Sequence, residues 1–125
     1  MIKSLLLVGV GSFLGGASRF YISTLMKNIA GQGFPWGTLM VNLLGCFLFG
    51  VVFALFHKHS MPSNMWCLLL TTGFCGGFTT FSAFAHEGVL MLQSGNITAF
   101  IIYLLLSIVT GLALVAVGYK VALLF

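Results

Sequence analysis

A segment at residues 73–84, GFCGGFTTFSAF, lies within a hydrophobic stretch and brings glycines, two adjacent threonines and a serine into it. Such residues predict a break in the helix. The bilayer core has no water to satisfy freed backbone groups, so a break exposed to lipid is costly. It is tolerated only where it is buried in protein, lines a cavity or forms an ion site. We therefore expect the chemistry of this protein at 73–84.

Two stripes of polar residues accompany this segment, each on one face of a predicted helix because its members are spaced i, i+4 and i+7. The stripes are Thr38, Asn42 and Gly45 in one helix, and Tyr103, Ser107 and Thr110 in another. A membrane-embedded Asn that stands alone is more often helix–helix glue than a ligand site. Two stripes and a break, however, are more polar elements than packing ordinarily needs. The pattern favours a solute pathway.

The pathway lacks a ring of acidic residues and a buried lysine, so a cation channel is not indicated. Its candidate partners are neutral donors: the Asn42 amide, threonine and serine hydroxyls, and the electropositive edges of phenylalanine rings. Weak donors at several sites suit conduction, because an ion must leave as well as enter. Arg19, towards the end of the first helix, either attracts anions at the mouth or snorkels to the interface as an anchor. The residues indicate an anion and leave its identity open.

Composition places the chain among integral membrane proteins. Hydrophobic residues make up 60% and charged residues 5% of it, against roughly 25% charged in a soluble domain. At about 20 residues per spanning helix, the length allows four spans. The predicted spans are about 2–26, 36–56, 65–93 and 97–119, in one four-helix transmembrane domain covering 1–125. The expected class is all-α, with the third of four transmembrane helices broken near its middle.

The placement of charge bears on orientation. With four spans, Lys3, Lys58 and Lys120 lie on one side of the membrane, and Lys27 and Arg19 lie towards the other. This is a weak bias by the positive-inside rule, so the chain can insert both ways. Two copies of opposite orientation give an antiparallel dimer with a two-fold axis in the membrane plane, the symmetry that larger transporters build from inverted repeats.

Nothing in the sequence supports catalysis. It has no paired carboxylates, no nucleophile with a neighbouring base and no phosphate-binding loop, so we expect that the protein is not an enzyme. The cysteines at positions 46, 67 and 75 have no metal-ligand spacing. We interpret them as small packing residues without a disulfide.

Three motifs in order resemble those of the small fluoride channels called Fluc, also known as CrcB proteins. Residues 15–20, GGASRF, are similar to the glycine-glycine-x-x-arginine-aromatic signature of the first helix, and 37–45, GTLMVNLLG, to the pattern of the second. The third motif, GGFTTFS at 76–82, is highly specific. One departure is Ala83, where many members carry threonine. The resemblance covers nearly the whole chain.

The resemblance implies a fluoride-selective channel, multi-pass in the bacterial plasma (inner) membrane, that exports fluoride passively and so protects the cell from its toxicity. It also implies a dual-topology antiparallel homodimer with two pores. The expected partners are the fluoride ion, a second copy of the chain and the lipid bilayer, with no nucleic acid.

The resemblance also implies roles for individual residues. The implied pore residues are Asn42, Phe81, Phe84, Tyr103, Ser107 and Thr80, with Arg19 in the aqueous vestibule. Asn42 would hydrogen-bond fluoride, Phe81 and Phe84 would present ring edges to it, and the hydroxyls would continue a polar track. A structural Na⁺ would lie at the dimer centre, held by the backbone carbonyls of Gly76 and Thr79 from both subunits. A broken helix does free carbonyls, and hard cations take oxygen ligands.

Two other classes of protein are alternatives. A small multidrug exporter shares the four-helix, dual-topology format but needs a membrane-embedded carboxylate in a binding chamber. The one acidic residue is Glu87, beside His86, where pairing or an interfacial position is expected. A non-transporting assembly protein would explain the spacing of Gly11 and Gly15, but not the stripe that contains Asn42. The sequence favours the channel over both.

Overall fold

The computed structural model describes residues 1–61 and 64–125. Within these residues, four helices are long and apolar enough to cross a membrane. They are α1 (Ile2–Ala30), α2 (Trp36–Lys58), α3 (Met65–Gln93) and α4 (Ile97–Leu123). The predicted class, all-α with four spanning helices, is confirmed.

α1 runs through Lys27 and Asn28 to Ala30, past the predicted limit near Met26. A lysine can continue a membrane helix because its long side chain reaches back to the interface. The helix ends at Gly31, whose φ of 79° lies in the left-handed region that glycine adopts without steric cost.

Glycines bring the helices into backbone contact. A Cβ atom at Gly15 of α1 would overlap the carbonyl oxygen of Phe74 in α3, and a Cβ atom at Gly118 of α4 would overlap that of Phe47 in α2. Small residues permit such close approach in membranes, where van der Waals packing rather than the hydrophobic effect holds helices together. α1 therefore packs tightly on α3, and α2 on α4.

α3 is divided into two halves, which confirms the predicted break. The first half, residues 65–78, contains a π-helical stretch at Leu69–Cys75. Thr79 and Thr80 are extended, with φ −87° and ψ 158°, and φ −149° and ψ 118°. The second half is the α-helix Phe81–Gln93. Two consecutive extended residues end the helical hydrogen bonding of the first half before the second half begins.

α4 is irregular but unbroken. It runs as α-helix over Ile97–Leu105, widens into a π-helical stretch at Leu106–Thr110 and returns to α-helix over Gly111–Leu123. Asn96 caps its start, because its Oδ1 accepts a hydrogen bond of 3.1 Å from the backbone N–H of Ala99. The second polar stripe begins in the first α-helical part, at Tyr103, and continues into the π-helical stretch, at Ser107 and Thr110.

Candidate functional site

Asn42 on α2 binds both backbone groups, the N–H and the carbonyl, of Thr80 at the break in α3. Its Oδ1 accepts a 2.7 Å hydrogen bond from the backbone N–H of Thr80, and its Nδ2 donates a 3.1 Å bond to the Thr80 carbonyl. A side-chain amide nitrogen carries two hydrogens. One is used on Thr80, so the second can bind another acceptor. Asn42 therefore has a structural role that its position in a polar stripe did not reveal.

Thr80 is the N-cap of the second half of α3. Its Oγ1 accepts a 3.2 Å hydrogen bond from the backbone N–H of Ala83 and lies 3.2 Å from the hydroxyl of Ser82. Threonine at this position satisfies one of the N–H groups that a helix start leaves unpaired. The hydroxyl hydrogen of Thr80 can still be donated. This predicted pore residue thus serves the helix and retains a donor.

The carbonyl groups of Gly76 and Thr79 lose their helical partners at the break. In a continuous α-helix they would accept from the N–H groups of Thr80 and Ala83, four residues on. Those N–H groups donate instead to Asn42 Oδ1 and to Thr80 Oγ1. Two backbone oxygens, three residues apart, are therefore released from helical bonding. They are the type of ligand that a hard cation binds, so the residues present fit the predicted Na⁺ site.

Arg19 on α1 binds another carbonyl of the break. Its Nε donates a 3.1 Å hydrogen bond to the oxygen of Gly77, whose helical partner would be Phe81, the first residue of the second half. One helical turn earlier, Ser12 Oγ donates to the oxygen of Gly73 at 3.3 Å. A cation at a helix C-terminus also interacts favourably with the helix dipole. Arg19 is therefore anchored on α3 and does not extend freely towards the interface.

A cleft of about 670 Å³ opens beside the break, bordered by α1, the first loop, the start of α2 and the second half of α3. Its polar and charged lining includes Arg19, Ser23, Lys27, Thr38, Thr80, His86 and Glu87. Arg19 and Lys27 supply two permanent positive charges against the carboxylate of Glu87. The excess of positive charge attracts anions towards the cleft. Arg19, the predicted vestibule residue, is part of the lining of this cleft.

Three of the predicted pore residues form a column of aromatic rings. Phe81 and Phe84 have ring centroids 5.9 Å apart, and Phe84 lies 5.0 Å from Tyr103. The Tyr103 side chain is fully buried, and its hydroxyl donates to Glu87 Oε1 at 3.3 Å. Phe81, by contrast, is 80% exposed in the single chain. The partner of Glu87 is therefore Tyr103 on α4, and the column runs from the protein interior to its surface.

Ser107 lies one turn beyond Tyr103, in the π-helical stretch of α4. Its Oγ is buried and has no hydrogen-bond partner among residues 1–61 and 64–125. An unpaired buried hydroxyl costs free energy, so its presence calls for a reason. The structure leaves this predicted pore donor available, but it does not bond Ser107 to Asn42 or Thr80.

Sequence reasoning missed one residue next to the column. Phe34, in the loop between α1 and α2, packs on Tyr103 with ring centroids 5.5 Å apart and an interplanar angle of 78°. It lines the same cleft as Arg19 and Lys27. A phenylalanine directly before Pro-Trp at the start of a predicted span was the available signal, but a loop aromatic has many ordinary explanations.

Comparison with known proteins agrees with the motifs. A family described as "CrcB-like protein, Camphor Resistance (CrcB)" matches residues 6–119. The chain is 44% identical over 116 residues to the Fluoride-specific ion channel FluC of Leptospira interrogans, covering 93% of this chain and 91% of the relative. It is 47% identical over 119 residues to the protein of that name from Chlorobium phaeobacteroides, covering 95% and 92%. With its broken third helix and its three motifs in order, the chain belongs to the CrcB family.

Proposed function

We propose that this protein is a fluoride-selective ion channel, through which fluoride leaves the cell passively, down its electrochemical gradient. The observation that carries the proposal is a helix break held by Asn42 next to a column of aromatic rings and a positively charged cleft. The relatives named as fluoride-specific ion channels support the same function. The protein is a multi-pass membrane channel rather than an enzyme.

The donors around the break suit a small, strongly hydrated anion, which needs close N–H and O–H groups to replace lost water. Asn42 offers its second amide hydrogen, and Thr80 offers its hydroxyl hydrogen. The N–H groups at the start of Phe81–Gln93 add the positive end of a helix, which is a common anion-binding element in proteins and in the broken helices of transporters.

The order of these groups describes a route. Anions collect in the cleft near Arg19 and Lys27 and move to the donors at the break. They then pass the edges of Phe81 and Phe84 and the hydroxyl of Ser107. Each contact is weak because ring edges and hydroxyls carry only partial charge. Weak contacts in series let the ion leave as readily as it enters.

Dimerisation completes the pore. Phe81 is 80% exposed in the single chain although it belongs to the break, and the freed carbonyls beside it cannot face lipid without cost. A second copy of the chain covers this surface. The weak charge bias between the two sides of the membrane supports an antiparallel arrangement.

The same surface supports a structural Na⁺ at the dimer axis. Gly76 and Thr79 of each subunit would hold the ion with the two carbonyls that the break releases. When bound, the ion would supply positive charge to the carbonyl dipoles that the break releases. Gly76 is exposed in the single chain, which suits a position facing the partner.

The test is anion efflux from liposomes that contain purified, dimeric protein, followed with a fluoride electrode and repeated with chloride. We expect fast fluoride loss and negligible chloride loss, unchanged by an imposed proton gradient. Absence of fluoride loss from folded dimer would overturn the channel, and uptake of fluoride against its gradient, driven by protons, would overturn passive flow.

Glu87→Gln separates the channel from the multidrug exporter. An exporter depends on the charge of its membrane carboxylate, and Glu87 is the one acidic residue of the chain. A glutamine oxygen can still accept the hydrogen bond that Tyr103 donates to Glu87 Oε1. We therefore expect fluoride efflux to persist in Glu87→Gln and proton-coupled drug transport to be absent from the wild type.

A further inference from the structure

The aromatic column does not stop at Tyr103. Phe34, which lines the cleft, adds a fourth ring 5.5 Å from Tyr103 and nearly perpendicular to it, while Phe84 lies 5.0 Å from Tyr103 at a tilt of 53°. In a perpendicular pair, the electropositive edge of one ring meets the electronegative face of the other. Tyr103 therefore packs against two rings, one from α3 and one from the first loop.

The loop holds Phe34 firmly in place. The Trp36 N–H donates a 2.8 Å hydrogen bond to the Phe34 carbonyl, and Pro35 between them has φ −78° and ψ 63°. These values describe an inverse γ-turn, and proline fixes its φ in advance. The ring of Phe34 also contacts that of Trp36, with centroids 4.7 Å apart. A loop residue fixed in this way can restrain its neighbour.

By packing on the Tyr103 ring, Phe34 restrains the position of the Tyr103 hydroxyl. The Tyr103 side chain has one polar atom, and that atom donates to Glu87 Oε1 at 3.3 Å. The bond is long for an O–H donor, so it depends on the ring staying in place. Without Phe34, the cleft would open onto the face of Tyr103, and the ring could swing away from Glu87.

We propose that Phe34 is a positioning residue for fluoride conduction, acting by holding the Tyr103 ring so that its hydroxyl stays on Glu87 at the edge of the pathway. The proposal rests on the proposed function, since Tyr103 packs against Phe84, which lies on the route described above. Phe34 itself need not touch the ion.

The test measures fluoride efflux per dimer in liposomes for Phe34→Leu, alone and in a Tyr103→Phe background. We expect Phe34→Leu to slow efflux roughly threefold to tenfold, the range that one aromatic contact supplies. In the Tyr103→Phe background there is no hydroxyl to place, so Phe34→Leu should slow efflux no further. Phe34→Tyr, which keeps the ring, should restore efflux to within about twofold of wild type.

The matched control is Phe53→Leu, at the opposite end of α2, where Phe53 stacks on Phe49 and His57 away from the cleft. It should leave efflux per dimer unchanged. If Phe34→Leu yields too little dimer, Phe34→Met replaces it, because methionine fills the space without a ring.

Three results would decide against the proposal. Wild-type efflux in Phe34→Leu would overturn it, and so would equal slowing by Phe34→Leu in the wild-type and Tyr103→Phe backgrounds. Loss of dimer without a change in efflux per dimer would reduce Phe34 to a packing residue. These outcomes differ from failure of the proposed function, in which the wild type itself loses no fluoride.

Discussion

α3 and α4 both depart from regular α-helix, but in different ways. α4 widens at Leu106–Thr110 and continues, with φ −59° and ψ −44° at Leu106 and φ −60° and ψ −50° at Gly111. α3 has a similar π-helical stretch at Leu69–Cys75 and then breaks, with ψ 158° at Thr79. A widened helix keeps its hydrogen bonds within itself, whereas a break releases them.

The comparison shows what a break in a membrane helix requires. In α3, side chains take several of the released groups: Asn42 of α2 binds the Thr80 N–H, Arg19 of α1 binds the Gly77 carbonyl, and the Thr80 hydroxyl accepts from the Ala83 N–H. In α4, within residues 1–61 and 64–125, one buried hydroxyl, that of Ser107, has no hydrogen-bond partner. The hydrogen bonds at the break therefore involve side chains from three helices, whereas the hydrogen bonds of the widened stretch lie within α4.

Asn42→Ala should have the largest effect, because it removes two hydrogen bonds from Thr80 at membrane depth. Leaving both backbone groups unpaired costs about 2–6 kcal/mol together. We expect fluoride efflux to fall about 100-fold or more and the dimer to melt at a lower temperature. Thr98→Ala, at an exposed position in the first turn of α4 outside the polar stripe, is the control, with little change in either measurement. An Asn42→Ala dimer as stable as wild type would show that the break does not depend on α2.

Arg19→Met should have the next largest effect, because it leaves the Gly77 carbonyl without its charged donor. The loss of this hydrogen bond should lower the stability of the dimer by about 1.5–3 kcal/mol. Arg19→Gln keeps an N–H donor and should retain more dimer stability than Arg19→Met. Lys27→Met removes a cation from the same cleft without touching the break. It should slow efflux mainly at low ionic strength and leave melting unchanged. Equal melting of all three variants would contradict the capping role of Arg19.

Removal of Na⁺ tests the role of the carbonyls that the break in α3 releases. The carbonyls of α4, by contrast, stay within its helical hydrogen bonds. We expect replacement of Na⁺ by N-methyl-glucamine to destabilise the dimer by about 1–3 kcal/mol, the loss expected when a ligand specific to the native state is removed. The measurement is the dimer fraction in detergent at a series of Na⁺ concentrations. A dimer fraction independent of Na⁺ would exclude the structural ion at Gly76 and Thr79.

Phe81→Ile and Phe84→Ile test the contribution of the aromatic rings to fluoride efflux without changing the backbone hydrogen bonds of the break. Neither ring makes a backbone hydrogen bond at Thr79 or Thr80, so the dimer should survive. Loss of ring edges should slow fluoride efflux about tenfold. Unaltered efflux in both variants would show that the ring edges do not contact the ion.

Ser107→Ala should have the smallest effect, because it deletes one neutral donor from a helix that is otherwise self-sufficient. We expect efflux to slow about threefold, as for the loss of one hydrogen bond near 0.5–1.5 kcal/mol, and stability to hold or rise. A fall in melting temperature would show that Ser107 has a protein partner in the dimer.

The sequence was sufficient for the parts of the fold that depend on composition and local pattern. Four apolar stretches predicted four spans, and glycines with paired threonines predicted the break. The motif order predicted the family. Periodicity placed Asn42 on a polar face, although it could not say which backbone groups Asn42 would bind. That bond joins residues 38 positions apart and depends on how α2 packs on α3.

The contacts of Arg19 and Phe34 lay beyond sequence reasoning for the same reason. Arg19 reaches a carbonyl 58 residues away, and carbonyls have no sequence signature. The contact of Phe34 with Tyr103 depends on a loop whose direction is set by the turn at Pro35. The pairing of Glu87 with Tyr103 was hidden similarly, because the adjacent His86 was the obvious candidate.

The side chains that satisfy the break in α3 have a consequence for biogenesis. Arg19 and Asn42 both precede α3 in the chain, and domains form from the N-terminus during synthesis. When the third span leaves the translocon, the donors and acceptors that its exposed peptide groups need are already in the membrane. Moving α3 ahead of α1 and α2 by circular permutation would insert the same helix into lipid without them.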